Sequence, residues 1–145
     1  MPFTGNYATN TYKNGLNTGT FNLGTGTGQT FKIALYTNAA SLDYATTGYT
    51  TDGEVTDAGY TAGGEVLTIS QVPTVGSSGT TSYYSFSNVS WSGAITARGA
   101  LIYKYDSSSN PAMIVLDFGS DKVSTTTFNV QFPAATNTTA IVRIS

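Results

Sequence analysis

The sequence predicts an all-β fold: a two-sheet antiparallel β-sandwich, jelly-roll-like, with an extended N-terminal arm. Three observations predict it. From residue 30 onward, short segments with the alternation of half-buried strands follow one another at close spacing. The residues that strands favour are abundant, with ten Tyr and seven Phe among 145 residues and many Val, Ile and Thr. Clusters of Gly, Ser, Asn and Thr punctuate the segments, and none carries the apolar spacing of a substantial helix. Two stacked sheets are the natural way to bury so many strands that are each apolar on one side.

Residues 1–28, "MPFTGNYATNTYKNGLNTGTFNLGTGTG", contain sparse apolar residues without a period. "TYKNGLN" has room for one helical turn, but Gly15 and the neighbouring Asn residues oppose more. This stretch reads as an extended arm ending in a Gly-rich hinge, Gly24–Gly28, ordered only by a partner. The sandwich domain is expected over 29–145. Within it, "FKIALY" alternates, with Phe31, Ile33 and Leu35 on one side. Residues 37–65 then carry no strand signal. A loop of that length is functional or held in place, and Leu42, Tyr44, Tyr49 and Tyr60 are the residues to pin it. "EVLTISQV" resumes the strand pattern. In "TTSYYSFSNVSW" the apolar set slips by one between Phe86 and Val89, which predicts a β-bulge near Ser87 or Asn88.

"AITARGALIYKY" reads as a long strand and "DSSSNP" as a turn closed by Pro111. "MIVLDF" reads as a central strand, and "TTFNVQFP" as an alternating one with Phe128, Val130 and Phe132 inward. In "TAIVRIS", Ala140, Val142 and Ile144 share a face. The expected core is Phe31, Ile33, Leu35, Trp91, Leu101, Leu116, Phe128, Val130 and Val142.

Composition narrows the chemistry. There is no Cys, hence no disulfide, thiol nucleophile or thiolate metal site. There is no His, the usual general base and commonest metal ligand. Charged residues make up 10% of the chain and the formal net charge is −2, so no basic stripe is present to neutralise phosphates and nucleic acid is not an expected partner. No apolar run reaches the roughly 20 residues of a membrane helix, so no membrane association is expected. "MPFTGNYATN" lacks the basic and apolar regions of a signal peptide.

The acids Asp43, Asp52, Glu54, Asp57, Glu65, Asp106, Asp117 and Asp121 are scattered, and those of the long loop read as solvated rather than as a glycosidase pair. "DGEVTD" lacks the alternating ligand spacing of a calcium loop. "GTGTG" precedes a strand rather than a helix, so it has no anion-binding helix N-terminus. "NVS" at 88 and "NTT" at 137 match the N-glycosylation pattern, as an Asn- and Thr-rich chain does by chance. No catalytic residue, cofactor or metal is expected, and the chain is read as a non-enzyme.

Two sets of side chains remain as candidates. Tyr44, Tyr49 and Tyr60 are expected as contact aromatics at a subunit boundary, where an amphipathic ring is useful. Exposed aromatics on a β-sandwich also stack on sugar rings, so a carbohydrate-binding module touching a host glycan is a rival reading. The second set centres on Arg98, a cation inside an apolar strand. If 97–105 and 113–119 pair as a hairpin with Leu101 opposite Leu116, Arg98 falls opposite Gly119. It is then one diagonal step from Asp117 and within reach of Asp121. A forked bond to a carboxylate would offset the desolvation of a half-buried guanidinium. Arg98, Asp117 and Asp121 are therefore expected to form a structural ion pair.

"FKIALYTNAASLDYATTGYTTDGEV", "GYTAGGEVLT", "VSWSGAITARGALIY", "VLDFGSDK" and "FNVQFP" together resemble a family of small structural proteins of tailed bacteriophage particles. The likeness spans most of residues 31–144 and is sharpest at Gly59–Gly64, Ala97–Tyr103 and Leu116–Gly119. It implies a virion protein on the capsid surface, a decoration or cement protein whose partner is the major capsid protein. A tail, baseplate or fibre component of the same particle is the alternative. With the Tyr-rich surface and the arm, it leads to the expectation of a homotrimer at three-fold positions of the shell.

Overall fold

The computed structural model describes residues 3–26, 28–77 and 79–145. The chain is mostly β, with ten strands and one helix among the described residues. Its strands are β1 (Tyr7–Ala8), β2 (Thr30–Tyr36), β3 (Glu65–Leu67), β4 (Ile69–Val75), β5 (Ser82–Phe86), β6 (Val89–Ser92), β7 (Thr96–Tyr105), β8 (Ala112–Val123), β9 (Thr127–Val130) and β10 (Val142–Ile144). They form a five-stranded sheet in the order β1-β8-β7-β2-β3, a three-stranded sheet β10-β5-β4 and a two-stranded sheet β6-β9. Every pairing is antiparallel.

The five-stranded sheet is buried on both faces, which explains its composition. Along β2, Phe31, Ile33 and Leu35 enter a large core shared with Phe86, Trp91, Phe128 and Val130. Ala34 and Tyr36, on the opposite face, join a second core with Phe3, Leu42, Leu101, Tyr103 and Val115. A strand covered on both sides reads as a continuous apolar run rather than an alternation. That is why "MIVL" is apolar throughout: Met113 and Ile114 belong to the first core and Val115 to the second. Leu101, expected in a single core, lies in the second one, while Leu116 is only half-buried against the first. At the C-terminus Ala140 and Val142 are buried, but Ile144 is 49% exposed because β10 ends the sheet there.

The described part of the N-terminal segment, residues 3–26, is not an extended arm but packs onto the body. Residues Asn10–Thr18 form a helix, α1, capped by Thr9, whose Oγ1 accepts from Tyr12 N at 3.1 Å, and ended by Gly19 in the left-handed region. Phe3, Tyr12, Phe21 and Leu23 are all buried. Thr9 ties the helix start to β8 twice: its N–H donates to Met113 O at 2.9 Å and its hydroxyl to Ala112 O at 2.9 Å. Gly15, which argued against a helix on propensity, is required by packing. A Cβ there would lie 2.4 Å from the Phe21 ring. Burial and capping outweigh a propensity penalty of about 1 kcal/mol.

The expected hinge Gly24–Gly28 includes Thr27, which lies outside the described residues. Its two flanks are fastened, since Gln29 Oε1 accepts from Asn22 N at 2.7 Å and Gln29 Nε2 donates to Thr20 O at 3.3 Å.

Two further expectations change. The slip at Ser87–Asn88 is a corner rather than a bulge, because β5 and β6 belong to different sheets. Ser87 N–H donates to Thr68 O, and Asn88 Oδ1 accepts from Phe132 N at 2.8 Å. The β7–β8 hairpin pairs one residue off the expected register, with Leu101 opposite Val115 and Ala100 opposite Leu116. Its turn is built by Asp106, whose Oδ1 accepts the N–H groups of Ser108, Ser109 and Asn110. Those donors, Asn110 foremost, pull the Asp106 carboxyl down to about 2.

Phe21→Ala is expected to cost about 3 kcal/mol by emptying the space between α1 and the sheets, read as a lowered denaturant midpoint. An unchanged midpoint would mean that the segment packs only loosely.

Candidate functional site

The most organised polar cluster among the described residues surrounds Glu54, which is 6% exposed. The long loop 37–64 brings it onto the second core, where an isolated bridge pairs it with Tyr36 of β2. Its Oε1 accepts from the Tyr60 hydroxyl at 2.6 Å and from Gly63 N at 2.7 Å, and its Oε2 from the Tyr49 hydroxyl at 2.7 Å. The Tyr60 oxygen accepts in turn from Leu35 N at 2.9 Å. Tyr103 stacks on Tyr49 with ring centroids 4.9 Å apart and donates to Gly63 O at 2.7 Å. Tyr36 donates to Thr50 O at 2.7 Å.

Burial raises the Tyr36, Tyr49 and Tyr60 phenols well above their ordinary value, and the Glu54 charge adds to this. Tyr103 is pushed up to about 12, first by burial and then by Glu54. The phenols stay protonated and serve as donors, so the carboxylate is satisfied without a cation. With three donors on it, the Glu54 carboxylate latches the loop.

Of the expected contact aromatics, Tyr49 and Tyr60 spend their hydroxyls on Glu54; Tyr60 is buried and Tyr49 half-buried. Tyr44 alone of the three is exposed, edge-on to Tyr7 at 5.9 Å. Glu54 itself was not expected: a loop acid reads as solvated by default, and nothing in its neighbours' spacing marks it as buried. The other acids of "DGEVTD" diverge from it. Asp52 is exposed, and Asp57 Oδ2 accepts from Thr96 N at 2.9 Å. No group of three or more acids suited to a metal ion occurs among the described residues.

Arg98 pairs with Asp117, with Nη2 2.9 Å and Nε 3.2 Å from the same oxygen, Oδ1. Both side chains are partly buried, at 19% and 13% exposure. The geometry differs from the expected one. Ala97 faces Lys122 and Gly99 faces Asp117, so β8 carries a bulge opposite Arg98, with Gly119 in the left-handed region. The bulge swings Asp121 away into solvent, and it forms no ion pair with Arg98. Gly119 N donates to Asp117 Oδ1 at 2.8 Å, and that bond, with Arg98 behind it, holds the Asp117 carboxyl below the usual range. At Gly99 a Cβ would sit 2.4 Å from the Phe3 ring, so the small residue beside Arg98 makes room for the N-terminal segment.

A groove of about 450 Å³ opens between the end of β8 and β9, lined by Phe118, Val123, Phe128 and Val130 with Lys122, Asn129 and other polar residues. Its lining holds one charged side chain, Lys122, and no carboxylate. The Trp91 indole N–H is buried without a hydrogen-bond partner, its ring packed between Tyr60 and Phe128. Among the described residues no helix is long and apolar enough to cross a membrane. No family model, curated protein or solved structure matches the chain.

Two outcomes are expected. The Tyr103 phenol has a folded pKa raised above its unfolded value near 10. Its contribution to stability is therefore fully present below pH 10 and is lost as pH rises through about 12. Ultraviolet titration should show the buried phenols ionising together with loss of structure. Ionisation of all ten tyrosines near pH 10 in the folded protein would contradict the latch. Arg98→Ala is expected to lower stability by about 1 kcal/mol, whereas Asp121→Asn leaves the thermal midpoint unchanged. Equal losses from the two would put Asp121 back in the pair.

Proposed function

We propose that this chain is a structural component of a tailed-bacteriophage particle, a head decoration or cement protein that binds the outside of the capsid and stabilises it. Its partner on this reading is the major capsid protein, and it acts as a homotrimer on the shell surface. The five-stranded sheet on one side and the three- and two-stranded sheets on the other are read as the two layers of a jelly-roll-like sandwich, with the large shared core between them.

The observation that carries the reading is the latched loop. The longest irregular segment of the chain, the feature most open to acting as a lid, is sealed onto the sheet by Glu54 and four tyrosines. The result is a rigid body with a surface poor in charge, suited to static, many-copy mounting. The residues that carry the likeness to phage structural proteins support the same reading. Gly59–Gly64 belongs to this latch, and Ala97–Tyr103 with Leu116–Gly119 forms the hairpin around Arg98 and Asp117.

The test is the stoichiometry of this chain in purified particles, by quantitative mass spectrometry against the major capsid protein. The expected result is a copy number that fills a set of three-fold shell positions. A handful of copies would move the protein to the tail or baseplate. Its absence from particles, with saturable binding of an oligosaccharide by the pure protein, would replace the reading with a carbohydrate-binding one.

A further inference from the structure

We infer that the open edge of β9 receives the edge strand β3 of a second copy of this chain, so that copies join head to tail through a continued sheet. The inference rests on the homo-oligomer within the proposed function and names the surfaces that build it.

The groove beside β9 runs along a strand edge rather than a face. Side chains alternate across a strand, so a cavity against one face is lined by every second residue. Here the lining includes 127 through 131 without a gap, and 122 through 124 on the opposite wall. β9 hydrogen-bonds only to β6, and β8 and β9 do not pair with each other. The main-chain edge of β9 therefore faces an open slot.

The other long edges are blunted in recognisable ways. β4 carries Pro73 and two breaks in register, and the far end of β8 carries its bulge. The edge of β6 is covered by the loop at Gly59, where a Cβ would come within 2.3 Å of Ser92 O. β10 bears Arg143. "TFNV" in β9 has no charge, no proline and no bulge.

The matching surface is β3. It is the other end of the five-stranded sheet, so one edge is unpaired. Its Glu65 is exposed with no polar partner among the described residues, and the adjacent Val66 is 58% exposed. The groove's one charge is Lys122, which bonds only to Ser120 Oγ at 3.1 Å and has no carboxylate within 4 Å among the described residues. Pairing β3 with β9 brings the Glu65 carboxylate of one copy to Lys122 of the next. Main-chain bonds supply affinity, and the charge pair sets direction. The two surfaces differ, so the contact is heterologous, and the homotrimer of the proposed function is its form closed at three copies.

The test is sedimentation velocity of the full chain across a concentration series, for the wild type, Lys122→Glu, Glu65→Lys and the double exchange. Both positions are exposed, and circular dichroism confirms that each variant is folded. The wild type is expected to associate, each single change to weaken association at least tenfold, and the double exchange to restore it. A monomeric wild type, singles that associate like the wild type, or a double exchange that stays dissociated would each overturn the inference. Binding of the same samples to purified particles lacking this chain separates the two readings. Capsid binding by a monomeric protein overturns the head-to-tail contact alone, and an associating protein that ignores the shell overturns the decoration reading alone.

Discussion

The buried carboxylate of Glu54 is the constraint on which the rest of the structure depends. A five-stranded sheet with apolar residues on both faces needs a cover on each side. One cover comes from the other two sheets. The other is assembled from irregular chain, mainly the loop 37–64, whose backbone polar groups must be satisfied as it is buried. Glu54 does this locally by accepting three hydrogen bonds, two of them from phenols that also contribute apolar area. Tyr36 and Tyr103 extend the arrangement by donating to loop carbonyls. A carboxylate in this position is costly to desolvate, and the donors rather than a cation offset that cost.

The same economy appears at the N-terminus. Phe3 completes the second core and Tyr12, Phe21 and Leu23 the first, so one short segment contributes to both sides of the sheet. The helix in its middle is short and weak in propensity, and isolated helices of that length do not persist in water. It exists because Thr9 is tied to β8, and because the Tyr12 hydroxyl meets that of Tyr84 at 2.5 Å. Local structure here is a consequence of packing.

Charge is sparse, and where it occurs it is placed. Arg98 and Asp117 sit at the bulge that ends regular β7–β8 pairing, and Asp106 gathers three N–H groups to close the hairpin's other end. The hairpin is thus held at both ends by carboxylates acting on different donors. Bulge and proline together discourage sheet growth at two edges.

Much of the fold was legible in the sequence. Strand alternation marked β2 and β9, the solid apolar run marked β8 as interior, and the Asp-Ser-Asn-Pro cluster marked its turn. These follow from local physics: side-chain period, turn conformation and the missing proline N–H. The elements that escaped were those whose state depends on distant residues. The segment 1–28 looked free because its apolar residues have no period, yet Phe3, Tyr12, Phe21 and Leu23 each find a place in cores built by residues far along the chain. Glu54 looked solvated because burial of an acid leaves no trace in the sequence when its donors lie on a loop and on residues without charge. The hairpin register was missed by one residue because both faces of β7 and β8 are apolar, so sliding by one exposes nothing and the hydrophobic pattern does not select between alternatives. What chose was the packing of Phe3 over Gly99 and the bond between Arg98 and Asp117, and both exist only once the chain has folded.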